Sequence, residues 1–160
     1  MAVLSAALAF PIKAHIPVET LKLKRLNTVK LYGDIFENLN IQTISIEDSP
    51  MMTNIFPDVF LYTKETLKNL LMVNTGLTEF PAEALNMLSG LETLTLDRHN
   101  ISTLENRIDG LENLINLQIS NGNISGVSKN TFDGVRNLKR LDLHGNQLTT
   151  IPRDTFKVSF

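Results

Sequence analysis

One apolar phrase recurs along this chain at a nearly constant interval, and that recurrence narrows the available folds more than any other feature. The clearest copy is Leu138, Leu141, Leu143, Asn146, Leu148, Ile151, Pro152 and Phe156, which reads LxxLxLxxNxLxxIPxxxF. One unit earlier the spacing returns in Leu114, Leu117, Ile119, Ile124, Val127 and Phe132. It returns again in Leu91, Leu94, Leu96, Ile101, Leu104 and Ile108, and before that in Leu67, Leu70, Met72, Leu77, Phe80, Pro81 and Leu85. Two looser units come first. One runs from Ile41 through Ile44, Ile46 and Met51, with a short insertion before Val59 and Phe60. The other holds Val18, Leu21, Leu23, Leu31 and Phe36. The units begin at residues 18, 41, 67, 91, 114 and 138, in steps of 23, 26, 24, 23 and 24. A fixed period of this length marks a solenoid, because one unit cannot bury its apolar face alone and stacked units share a continuous core.

Within each unit the two residues flanking a single x in LxL lie on the same side of an extended chain, since side chains alternate with a period of two. The spacing therefore predicts a short strand near Leu21–Leu23, Ile44–Ile46, Leu70–Met72, Leu94–Leu96, Leu117–Ile119 and Leu141–Leu143. Each strand is followed by a turn and a return along the outside. The expected architecture is an α/β solenoid of about six stacked repeats. Short parallel strands form its concave face, and irregular or short helical segments form the convex side. Residues 1–17 read as an apolar N-terminal segment and 18–160 as the repeat domain.

These residues resemble the extracellular, "typical" class of leucine-rich repeat proteins, LxxLxLxxNxLxxLPxxxFxxLxx, from Val18 to about Thr155. The match is best in NTFDGVRNLKRLDLHGNQLTTIPRDTF, Asn130 to Phe156. The sequence is arthropod-like, and it is similar to the non-catalytic leucine-rich repeat subunit family of the secreted luciferase of Oplophorus shrimp. The resemblance implies a binding role without catalysis. It also implies the alternative of a stabilising subunit in a secreted enzyme complex. The chain departs from the class in having no cysteine, hence no cysteine-rich caps, and in reaching Phe160 without a polar closing repeat. Uncapped ends expose core leucines, so an oligomer or a larger parent chain is expected to cover them.

Composition adds exclusions. With no cysteine there are no disulfides, thiolate metal sites or cysteine nucleophiles. The formal net charge of −2 supplies no general attraction to nucleic acid or to a membrane surface. No apolar run reaches the ~20 residues of a membrane span. Ala2 to Phe10, AVLSAALAF, has the length of a signal-peptide core, with Ala7-Leu8-Ala9 as a small-x-small site, although no Lys or Arg precedes it. The other reading of that segment is a cover for the first repeat. An extracellular or cell-surface location is expected, with an intracellular scaffold as the alternative.

Catalytic signatures are absent: the chain has no GxSxG, HExxH, P-loop or dinucleotide fingerprint. Neither a cofactor nor a metal is expected, since His15, His99 and His144 stand far apart and lack metal spacing. His99 falls where the repeat places its inward asparagine, whose amide satisfies backbone groups buried at the turn. The occupants of that position are Leu26, Ser49, Thr75, His99, Gly122 and Asn146. Ser, Thr and His can make part of those bonds and Leu and Gly cannot, unless Asn100 and Asn123 shift into the position. Asn100-Ile101-Ser102 and Asn123-Ile124-Ser125 are also N-glycosylation acceptors in a secreted chain, one repeat apart on one edge.

Function is expected on the concave face, with a protein as partner. Parity turns out Lys22, Ser45, Leu71, Thr95, Gln118 and Asp142, and beside them Lys24, Glu47, Val73, Asp97, Ser120 and His144. A further column is Arg25, Asp48, Asn74, Arg98, Asn121 and Gly145. The expected contact set is Lys22, Lys24, Glu47, Asp48, Leu71, Val73, Asp97, Arg98, Gln118, Asn121, Asp142 and His144. Leu71 and Val73 are expected to be solvent-exposed apolar anchors rimmed by charge, as a protein interface requires.

Overall fold

The computed structural model describes residues 18–156. The apolar stretch Ala2 to Phe10, His15 and residues 157–160 lie outside that span. Six strands form one sheet in chain order: β1 (Thr20–Lys24), β2 (Thr43–Ser49), β3 (Asn69–Thr75), β4 (Thr93–Asp97), β6 (Asn116–Ser120) and β8 (Arg140–Asp142). Every neighbouring pair is parallel. The register sets Leu21, Ile44, Leu70, Leu94, Leu117 and Leu141 in one row. All six strands fall where the repeat spacing puts them; the last closes at Asp142, one residue short of Leu143.

Parallel strands need a crossover, and here each crossover is a run over the outer side. The outer side carries a 3-10 turn at Gly33–Phe36, the four-residue helix α1 (Ala82–Leu85), and two short strands, β5 (Thr103–Leu104) and β7 (Gly126–Val127), which pair in parallel. The insertion in the second unit is absorbed in a run of turns at 57–66, which still delivers Val59 and Phe60 to the core.

The core lies between the two sides. Ile44, Leu70, Leu94, Met72 and Leu96 point into it from the sheet and are fully buried. Phe36, Phe60 and Phe132 fill it from the outer side, with Phe36 stacked on Phe60 at 6.3 Å between ring centroids. In the last unit Leu141 and Leu143 are only half-buried, and among the described residues β8 pairs with β6 alone.

Each strand leaves the sheet through the same backbone kink. Arg25, Asp48, Asn74, Arg98, Asn121 and Gly145 have φ of 55°, 50°, 55°, 55°, 52° and 67°. This left-handed conformation, repeated at one position per unit, turns the chain off the concave face. Asn, Asp and Gly tolerate it; two arginines adopt it at a cost.

Candidate functional site

The concave face carries four columns of outward side chains. Three are those read from the LxL spacing. The fourth is Thr20, Thr43, Asn69, Thr93, Asn116 and Arg140, one residue before the first inward residue of each strand and in register across the sheet. The LxL spacing starts each strand at the leucine and so leaves this column out, whereas the same parity carried one residue back includes it. This column is uncharged from Thr20 to Asn116, so charge collects toward the opposite margin. Thr93, Thr95, Asn116, Gln118 and Arg140 line a shallow hollow of about 240 Å³.

At the first two repeats the basic and acidic side chains neutralise each other. Glu47 takes ion pairs from Lys22 and, at 2.7 Å, from Lys24, and its Oε1 accepts a hydrogen bond from Ser45 at 2.8 Å. The Lys22 bond first, then those of Lys24 and Ser45, hold the Glu47 carboxyl at about 2. Glu47 in turn raises the Lys24 ammonium above its ordinary value. Asp48 accepts from the Asn74 amide at 2.9 Å.

At the other end the polar groups form a chain across three strands. Asp97 Oδ1 accepts from Asn121 Nδ2 at 2.7 Å and from Ser120 Oγ at 2.8 Å, and Gln118 donates to Ser120 at 2.8 Å. Burial pushes the Asp97 carboxyl up, but the Asn121 and Ser120 bonds, with Arg98 beside it, bring it below the ordinary value. Asn121 Nδ2 also lies 3.3 Å from His144 Nε2, and His144 Nδ1 lies 2.7 Å from Asp142. That geometry suits a neutral ring donating from Nδ1 and accepting at Nε2. The His144 ring, and then its backbone N–H, lower the Asp142 carboxyl.

Leu71 and Val73 face the concave side, as parity requires, but they are half-buried rather than solvent-exposed. The reason is strand spacing: at ~4.8 Å between strands, Ser45 and Thr95 flank Leu71, and Glu47 and Asp97 flank Val73. The expected contact residues are thus brought onto one face, but as a largely pre-bonded polar surface around a partly open apolar pair.

Behind this face the degraded asparagine position is repaired piecemeal. Ser49 accepts from Leu26 N–H at 3.0 Å and donates to Glu47 C=O. Asn146 donates to the Ile119 and Leu143 carbonyls and accepts from Ile124 N–H, so it serves the repeat in which Gly122 has no side chain. His99 Nδ1 accepts from Ile101 N–H at 3.1 Å. Contrary to expectation, the buried Thr75 hydroxyl has no partner among the described residues, nor does His99 Nε2. The His99 ring occupies the space a Cβ at Gly122 would need, so the glycine is a steric requirement of the histidine. Asn100 and Asn123 do not enter this position. Both are exposed, and Asn123 accepts from Gln147 at 3.1 Å.

Among the described residues no three His, Asp or Glu side chains could hold a metal ion, and no helix is long and apolar enough to cross a membrane.

A repeated strand-and-return unit with a continuous parallel sheet defines a class, and the family comparison agrees. The BspA type leucine rich repeat region (6 copies) matches residues 16–108, more than half of the chain, and the leucine rich repeat matches residues 112–157. The chain belongs to the leucine-rich repeat family. Among solved structures it is similar to TLR13 in a TLR13–ssRNA13 complex, with a TM-score of 0.72 and 22% identity over 86% of this chain and 23% of that one. It also matches the Toll–Spatzle complex of Drosophila, with a TM-score of 0.48 and 18% identity over 88% of this chain and 25% of that one. The chain thus spans about a quarter of the length of these structures. No curated protein matches. The family matches show the leucine-rich repeat class; the narrower arthropod and luciferase-subunit likeness is not confirmed.

Proposed function

We propose that the chain is a non-enzymatic recognition module that binds a protein through its concave face, outside the cell or at its surface. The observation that carries this is Leu71 and Val73, a partly open apolar pair at the middle of a face whose polar side chains are already ordered by one another. Ordered groups lose little freedom on binding, and a central apolar anchor inside a polar rim is the usual distribution of binding energy. The charges argue against nucleic acid as the partner. Lys22, Lys24, Arg25, Arg98 and Arg140 alternate with Glu47, Asp48, Asp97 and Asp142, and a phosphate backbone needs an uninterrupted cationic track. The two exposed sequons on one edge favour the extracellular location.

The test is photo-crosslinking in source tissue with a reactive residue at Gln118 on the concave face or at Glu83 in α1. A protein trapped from Gln118 and lost on Val73→Asp is the expected result. Trapping from Glu83 alone, or of nucleic acid from Gln118, refutes the proposal.

A further inference from the structure

We propose a second docking site, on the flank of the solenoid, for an extended peptide segment carrying lysine or arginine. The site is the cleft between the third and fourth repeats, walled by Thr78, Glu79 and Phe80 on one side and by residues 102–106 on the other, with a volume of about 370 Å³. Its origin is a missing strand. Among the described residues β5 pairs with β7 alone, through Thr103↔Gly126 and Leu104↔Val127. In the third repeat the corresponding stretch is Thr78-Glu79-Phe80-Pro81. Pro81 has no N–H to give to a ladder, and the chain passes directly into α1, with Ala82 N–H bonding to Phe80 C=O. The outer edge of β5 therefore borders an open cleft instead of another strand.

An open edge is a template for an added strand, and the side chains around it select the occupant. Half-buried Phe80 gives the cleft an apolar contact; Leu104 is buried, and the rest of the lining is mainly polar. Glu79 and Glu105 stand exposed on opposite walls, and neither has an ion-pair or hydrogen-bond partner among the described residues. Glu47, Glu92 and Asp109 are by contrast ion-paired, with Lys22 and Lys24, with Lys68 and with Arg107. Two unpaired carboxylates on opposite walls of a cleft bordered by Phe80 fit a strand that alternates a basic side chain with an apolar or β-branched one. The backbone extends the β7–β5 pair by a third strand, and the two basic groups reach Glu79 and Glu105. The site is on the flank, separate from the concave face, and does not depend on that reading.

The probe is the acetylated, amidated heptapeptide Thr-Lys-Val-Lys-Thr-Lys-Val, followed by amide chemical shifts of the isotope-labelled chain. Shifts concentrated at Thr103, Leu104 and Glu105 are expected. Glu79→Gln with Glu105→Gln, both exposed and unpaired, should weaken binding about fivefold, as two rim ion pairs allow. Methylating alternate peptide nitrogens should abolish it. Shifts spread over the concave face, equal binding of the peptide with Glu in place of Lys, or indifference to either the double variant or the N-methylation overturns the proposal, as does no binding at all.

Discussion

At the scale of single residues, the most informative pair is His99 and Gly122. A methyl at Gly122 would overlap the His99 ring, so Gly122→Ala should cost ~1–3 kcal/mol by overpacking. The same change made together with His99→Asn should cost much less, and a double-mutant cycle by urea melts measures the difference. Burial lowers the His99 pKa from 6.5. The unfolded chain then binds a proton that the folded chain refuses, so stability falls as pH drops below about 6.5. His99→Asn should remove its share of that slope. Glu47 titrates lower. Its folded value of about 2 lies below the ordinary 4.5, so the stabilisation it gives is complete above pH 4.5 and is lost between there and pH 2. Urea melts of Glu47→Gln should be flatter than wild type across that window, and 1 M salt should shrink the difference, since Lys22 and Lys24 are about half exposed.

The element that repeats is a strand ended by a left-handed residue. Arg25 holds φ of 55° and has an exposed side chain. Arg25→Gly should be neutral or stabilise by up to ~1 kcal/mol, because glycine adopts this conformation without strain and loses part of the gain in chain entropy. Arg25→Val should destabilise by ~1 kcal/mol or more, since β-branched residues fit there worst. Denaturant midpoints that rank the two variants the other way would mean the kink is not what ends the strand. In the column itself, Asp48, Asn74, Asn121 and Gly145 are the residue types that signal the conformation. Arg25 and Arg98 obscured it, because arginine has no preference for the left-handed region and tertiary packing imposed it.

At the scale of the whole molecule, stability comes from each unit covering the next. Leu94 and Leu117 sit in central strands with almost no exposure. Leu94→Ala and Leu117→Ala should each cost ~2–5 kcal/mol. Each should lower the unfolding midpoint of the stack as one transition, because a damaged unit weakens the interfaces on both sides of it. Calorimetric traces that match wild type would place these leucines outside the core.

The local pattern alone determined the period, the six parallel strands and the inward rows, because a two-residue alternation repeated at constant spacing permits only one way to bury the leucines. It also determined which side Leu71 and Val73 face. Only the assembled stack decided how far they are covered, since that depends on the Ser45, Glu47, Thr95 and Asp97 side chains arriving from neighbouring strands. The same holds for the pairing of Lys22 and Lys24 with Glu47, for Asn146 serving the repeat of Gly122, and for the space that His99 takes from that glycine. Each joins residues 22 or more apart. Such contacts follow from the register of one unit on the next, which no single unit encodes.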